Sequence, residues 1–331
     1  MNKRHITIGV TLITILFILF YFFKPQKEKS KDEISVQLSW FPGPENAFLF
    51  YGIEKGIFDS LNIKVLYKPS KGSSIVATSL ANNQMNFGFI SSDYVIVSKN
   101  KGLPLIAVMT LYHETPVTIF SLLEKNITKI EDLKDKKIGV IIKSAVYPQV
   151  KAFLKLNGLR EGDYQEIPVV GTPNEILNNK NIDAMMHYSN YGPAEIKGKY
   201  KKEINLISLK NHGVDMYGTS LAVNESFAKD NPEVTTKFIL GCLLSLQRAK
   251  TDHTGALNAL LKHSPNSSKE EFDLALTITE NMIYDSLSNK LGIGYMNTEG
   301  WQKTLSQVEK LNNEKYNIPI EQLFTTKFLQ K

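Results

Sequence analysis

Beyond residue 33, short apolar runs alternate with amphipathic stretches. ISVQLSW (34–40), IKVLYKP (63–69), NFGFI (86–90) and PLIAVMTLYH (104–113) carry the apolar character of strands. Between them, NAFLFYGIEKGIF (46–58) reads as a helix ending near Gly56, and SSIVATSLANNQ (73–84) and SSDYVIVSKNKG (91–102) as two more. Alternation at this spacing signals βαβ units and a parallel sheet.

The pattern then restarts. VTIFSL (117–122), KKIGVII (136–142), EIPVV (166–170), NIDAMMHY (181–188) and INLISL (204–209) are expected strands. ITKIEDLKD, NEILNNK and a segment near Gly192–Lys199 supply short helices, and AVYPQVKAFLKLNGL a longer one closed by Gly158. After GTSLAVN (218–224) the chain reads as helical to its end, with Pro232 at a helix start and Gly255 interrupting. Two sheet-forming blocks and a helical tail suit a protein of two lobes. Residues 34–116 and 218–331 are expected to form one and 117–217 the other, with crossovers near 114–118 and 215–219.

The first 33 residues differ. Ile6–Phe23 is an uncharged run of 18 residues, about the length that crosses a bilayer core. Lys3 and Arg4 precede it, and no small-residue cleavage site follows. Residues 1–33 are therefore expected to be an uncleaved signal-anchor and linker, with the body on the periplasmic or cell-surface side; an ordinary signal peptide is the alternative. Of the net charge of +6, this segment contributes +3, six Lys or Arg against three Asp or Glu. The remaining body has no dense basic stripe, which argues against a nucleic-acid partner. Cys242 is the lone cysteine, so no disulfide framework exists.

Ligands of open α/β sheets bind beyond the carboxyl ends of strands. Those positions nominate Trp40, Glu45 and Asn46 after the first strand, Ser73 after the second, and Ser91, Ser92 and Asp93 after the third. Ser144, Tyr147, Asn190 and Tyr191 follow from the second block, and Thr115 and Tyr217 from the crossovers. Serines and backbone N–H groups at helix starts donate to ring nitrogens or anionic oxygens, carboxylates accept from amino groups, and aromatic side chains stack on flat rings. The same residue types also serve as ordinary helix caps and packing.

The chain resembles the substrate-binding proteins that recognise thiamine-pyrimidine precursors, within a larger group including sulfonate- and taurine-binding proteins. The marks are Leu38–Pro42, IEKGIFDSLNIKV (53–65), MNFGFISS (85–92), KIEDLKDKKIGV (129–140), NIDAMMHYSNY (181–191), HGVDMYGTSLAVNESFAKDNPE (212–233) and GIGYMNTEGWQ (292–302). The resemblance implies an α/β, type II periplasmic-binding-protein fold of two lobes with a two-stranded hinge, here behind an N-terminal transmembrane helix. It also implies capture of a small flat heterocycle by lobe closure, for an ABC permease. The pyrimidine branch usually reads Asn-Tyr-Glu where this chain has Asn190-Tyr191-Gly192, and Asn-Thr-Asn-His where it has Gly43-Pro44-Glu45-Asn46. An acid is thus lost from one lobe while Glu45 appears in the other.

Two other functions compete. A different small solute (a sulfonate, a flavin-like ring or an amine) would use the same fold. A related branch instead synthesises the pyrimidine, using a Lys-held pyridoxal phosphate and its own His; Ile90 and Tyr94 hold those positions here. The six histidines show no metal-ligand spacing, so neither a catalytic nor a metal site, nor any cofactor, is expected. Arg160 and Arg248, the Arg residues beyond the leader, fall on expected surfaces, which argues against an Arg-clamped anion. The body is expected to act as a monomer.

Overall fold

The computed structural model describes residues 31–142 and 144–329. The expected membrane span Ile6–Phe23 lies outside them; among the described residues no helix is long and apolar enough to cross a membrane.

The apolar runs form two five-stranded sheets. The first contains β1 (Asp32–Gln37), β2 (Ile63–Lys68), β3 (Phe87–Ser91), β4 (Leu105–Thr110) and β10 (Thr219–Asn224), in the order β2-β1-β3-β10-β4. The second contains β5 (Val117–Leu122), β6 (Lys137–Val140), β7 (Gln165–Pro168), β8 (Ala184–Tyr188) and β9 (Ile204–Ser208), in the order β7-β6-β8-β5-β9. Neither is the all-parallel sheet that the strand–helix alternation suggests. β10 runs antiparallel to β3 and β4, and β5 antiparallel to β8 and β9. Both are the strands entered directly from a connection between the sheets, and both are buried at every position. A strand buried on both faces reads the same in either direction.

Each sheet has a core on either side. Phe48, Phe58, Phe87 and Phe238 fill one face of the first sheet, and Val76, Ile90, Trp301 and Val308 the other. Val140, Phe153 and Met186 belong to one core of the second sheet, and Phe120, Met185 and Ile196 to the other. Cys242 is buried within helix Pro232–Ala249. Expected helix 46–58 is divided at Gly56, whose φ of 65° is left-handed, into Ala47–Glu54 and Ile57–Ser60. Gly255 does not interrupt a helix: it lies in the first turn of His253–His263, where its N–H bonds the Asp252 cap at 2.9 Å.

The connections Leu111–Pro116 and Leu209–Gly218 run side by side. Leu111 donates its N–H to Thr219 O at 2.8 Å and Gly218 its N–H to Tyr112 O at 2.9 Å. A Cβ on Gly218 would stand 2.8 Å from the Glu114 carbonyl, so the approach requires glycine.

The tail covers the exposed edge of β4. Ala107 and Leu323–Thr325 exchange backbone bonds of 3.0 and 2.9 Å, and Phe324 stacks on Trp301 at 6.0 Å. Trp301 is fully buried and meets Tyr217 edge-on. Trp301→Ala is expected to lower the unfolding free energy by about 3–5 kcal/mol, read by urea titration. An unchanged midpoint would show that the tail does not hold the sheet.

Candidate functional site

The loops that follow the strands of the two sheets enclose a cavity of about 60 Å³. From the first sheet come Ser39 and Trp40 beyond β1, Gly72 and Ser73 beyond β2, and buried Glu45. From the second come Ile141, Ser144, Ala145 and Val146 beyond β6, Gly171 beyond β7, and His187, Tyr188 and Tyr191 at the end of β8. The walls meet where the carboxyl ends of both sheets converge.

Local chemistry fixes the first wall. Gly72, with φ 129°, opens the helix Ser73–Ala81 and donates its N–H to Ser39 O at 2.9 Å. Ser73 Oγ accepts the Ser91 N–H at 3.0 Å, tying the ends of β2 and β3 together. Glu45 sits in the one-turn 3-10 segment Pro44–Asn46 and accepts from the Ser39 hydroxyl. Burial pushes the Glu45 carboxyl above the ordinary carboxylate range, opposed by hydrogen bonds from Ser39 and Thr219.

The second wall is aromatic. The Tyr191 ring reaches across to the first wall, where a Cβ on Gly43 would stand 2.1 Å from its hydroxyl. That hydroxyl is buried without a protein partner. His187 lies over Gly192, where a Cβ would stand 2.8 Å from its Cγ, and stacks on Tyr191 at 6.2 Å with 27° between the planes. Burial lowers the His187 imidazole to about 4, so it is neutral at physiological pH. Tyr188 is pushed well above the usual phenol range by burial and then by the charges of Asp93 and Glu45. Among the described residues of the lining, none is Lys or Arg.

Of the residues nominated from sequence, Trp40, Glu45, Ser73, Ser144 and Tyr191 line this cavity. The others do not, each for a physical reason. Asn46 is fully buried beside Glu45, with neither amide atom paired. Ser91 donates to Asp93, and Asp93 accepts from Gln149 Nε2 at 3.0 Å, so this pair bridges to helix Val146–Leu156 of the second sheet. Ser92 points back into its own sheet, 2.8 Å from Ser220 Oγ. Thr115 accepts the Val117 N–H at 3.3 Å and lines a separate hollow beside the connections. Tyr147 turns outward and donates to Glu166 at 2.7 Å. Asn190 donates to Thr279 Oγ1 at 2.9 Å and to the Tyr112 hydroxyl at 3.3 Å. Tyr217 faces another hollow with His113 and donates to Asn297 at 3.3 Å.

Sequence reasoning did not nominate Ser39, Ile141, Gly171, His187 or Tyr188. The last two belong to the strand run NIDAMMHY, and the cue available was their place at its carboxyl end. Ile90 is fully buried in β3, and Tyr94 lines a separate hollow together with Asp93 and Gln149. Arg160 and Arg248 are exposed.

Comparison with known proteins gives a consistent family. The family described as "NMT1/THI5 like" matches residues 43–254. The riboflavin-binding protein RibY of Chloroflexus aurantiacus is 20% identical over 92% of this chain and 88% of its own length. The formylaminopyrimidine-binding protein of Halalkalibacterium halodurans is 21% identical over 90% of this chain and 92% of its own. Among solved structures, the periplasmic aliphatic sulphonate binding protein SsuA from Escherichia coli superposes with a TM-score of 0.66 at 13% identity, covering 89% of this chain and 92% of that one. Likeness at that identity carries the fold: two mixed sheets in the α/β periplasmic-binding-protein arrangement.

The helix Gly192–Gly198, which begins at the cavity, packs on helix Lys269–Ile283; a Cβ on Gly198 would stand 2.8 Å from Glu270 O. At this contact burial, and then the neighbouring Glu271 carboxylate, raise Glu195 to about 7, against Lys199 at 4.0 Å. Its folded-state value thus lies above the ordinary value of 4.5, so the folded protein holds the proton more tightly. That contribution to stability is complete below about pH 4.5 and is lost as pH rises through about 7. Glu195→Gln is expected to flatten the fall in melting temperature between those limits, gaining roughly 1 kcal/mol over the parent at pH 8. Parallel pH profiles for the two proteins would remove Glu195 from this role.

Proposed function

The chain belongs to the NMT1/THI5-like family, and on that premise we propose that it is the extracytoplasmic substrate-binding component of an ABC importer, capturing a small flat heterocycle such as a thiamine-precursor pyrimidine. The observation that carries this reading is the composition of the cavity. Trp40, Tyr188 and Tyr191 line it, and Glu45 is a buried acceptor. An aromatic cavity with a buried carboxyl favours a flat ring bearing N–H groups.

Residues 34–116 with 218–331 act as one lobe and 117–217 as the other, and the paired connections at 111–116 and 209–218 act as the hinge. The placement of the lining supports a closing motion: residues from both sheets border one space, so parting of the walls admits a ligand and their approach covers it. Ile6–Phe23 tethers the body to the outer face of the cytoplasmic membrane, a permease is the partner, and the chain works as a monomer. Its task is binding and not catalysis, since Ile90 and Tyr94 stand where the synthase branch has its Lys and His.

Calorimetry of the full-length chain against pyrimidines, flavin-like rings, aliphatic sulfonates and amino acids tests the reading. The expected response is to a flat heterocycle. Binding of a sulfonate with no response to any ring would overturn it. Trp40→Ala is expected to weaken the ring at least tenfold, on the order of 1–3 kcal/mol of lost stacking, with the melting temperature of the free protein kept.

A further inference from the structure

We propose that His187 determines which ring is accepted, by presenting its Nε2–H as an uncharged donor to a ring nitrogen or carbonyl oxygen of the ligand. The inference deepens the ring-binding reading above and rests on it.

The imidazole occupies a seat that depends on glycine. With a Cβ at position 192 placed 2.8 Å from His187 Cγ, any other residue there would displace the ring. Its tautomer follows from the neighbours of Nδ1. That nitrogen faces the Tyr188 N–H at 2.9 Å and the Gly192 N–H at 3.3 Å. Backbone N–H groups only donate, so Nδ1 carries the lone pair and the proton resides on Nε2. Nε2 has one protein acceptor, Gly171 O, at 3.4 Å. That is a long bond, beyond the usual 2.7–3.2 Å of N–H···O, and a ligand acceptor at shorter range would outcompete it. The ring itself lines the cavity and is steadied by the stack on Tyr191.

Glu45 supplies the complementary group from the opposite wall, where an oxygen accepts in either protonation state. The cavity is thereby asked to fit a ring with an N–H donor on one edge and an acceptor on another, as an amino-substituted nitrogen heterocycle has. A carbocycle of the same shape lacks the acceptor.

Calorimetry on the full-length chain, with detergent present throughout, compares 4-amino-2-methylpyrimidine with 3-methylaniline, the same outline without ring nitrogens. The parent protein is expected to prefer the pyrimidine by about tenfold, the scale of one hydrogen bond in a dry site. His187→Phe keeps a ring over Gly192 and removes the donor; the preference is expected to shrink to about threefold or less, with the aniline affinity nearly unchanged. A variant that keeps the full preference, or a parent that binds both rings equally, overturns the role of His187 while leaving the ring cavity standing. A parent that binds neither ring overturns the cavity reading and this inference together. Should the variant fail to fold, the ¹⁵N resonance of His187 Nε2 in the parent gives the answer. It is expected to move with the pyrimidine and stay still with the aniline; an unmoved resonance in the pyrimidine complex overturns the proposal.

Discussion

Two lengths of backbone, bonded to each other at Gly218, make the whole covalent connection between the sheets. Their pairing has a direct geometric consequence. Each connection delivers a strand, β5 or β10, that enters its sheet against the direction of the neighbours it meets. The strands on the far side of each inserted strand, β1–β3 and β6–β8, then run parallel to one another. Their carboxyl ends all open toward the same space, and the loops there become the two walls of one cavity. Glycine at 218 is therefore a requirement of the architecture: a side chain would push on the Glu114 carbonyl and Pro116.

Polar groups between the halves have divided roles. Asn190 with Thr279 and Tyr112, and Gln149 with Asp93, are directional contacts in which each amide nitrogen donates, while the Asn190 and Gln149 amide oxygens stay unpaired. Glu45, Tyr191 and His187 line the cavity, and the Glu45 carboxyl, the Tyr191 hydroxyl and His187 Nε2 have bonds few, absent or long. A bonded buried pair specifies geometry, whereas an unpaired group beside a cavity leaves a bond that a ligand can supply. The same economy appears in the glycines. Gly43 and Gly192 contribute no side chains, and each makes the room in which an aromatic ring sits.

Much of this was legible in sequence, for reasons that also mark where legibility ended. Strands such as VTIFSL are bounded by turn-forming residues, and the observed β5 falls on that run, Val117–Leu122. Strand direction was not legible, because β5 and β10 are apolar on both faces and carry no sense of orientation. Trp40, Glu45, Ser73, Ser144 and Tyr191 could be placed near the cavity because each follows a strand end. Ser92 and Tyr147 also follow strand ends, but the rotational phase of a helix start decides which way a side chain points, and the phase is set by packing. Asp93, Asn190 and Tyr217 were ambiguous in a different way: their partners Gln149, Thr279 and Asn297 lie 56 to 89 residues away along the chain. His187 was hidden because a histidine ending a strand looks like any half-buried position until Gly192 is seen beneath it.

The exchange of an acid between the walls acquires a physical meaning once both ends are seen. With Gly192 where the pyrimidine branch usually has an acid, the second wall presents a neutral donor in His187; with Glu45, the first wall presents an acceptor. Under the proposed closing motion, the approach of the second wall strips water from Glu45, which disfavours its charge beyond what the Ser39 and Thr219 hydrogen bonds offset and leaves closure costly unless a further group donates to it. A ligand N–H placed there lowers that cost only when the walls are together. Ligand binding and closure then favour each other through a single group, because differential contact with the closed form is what shifts such an equilibrium. On this reading, selection among solutes is exercised in the closing step, and Glu45 is the residue through which it acts.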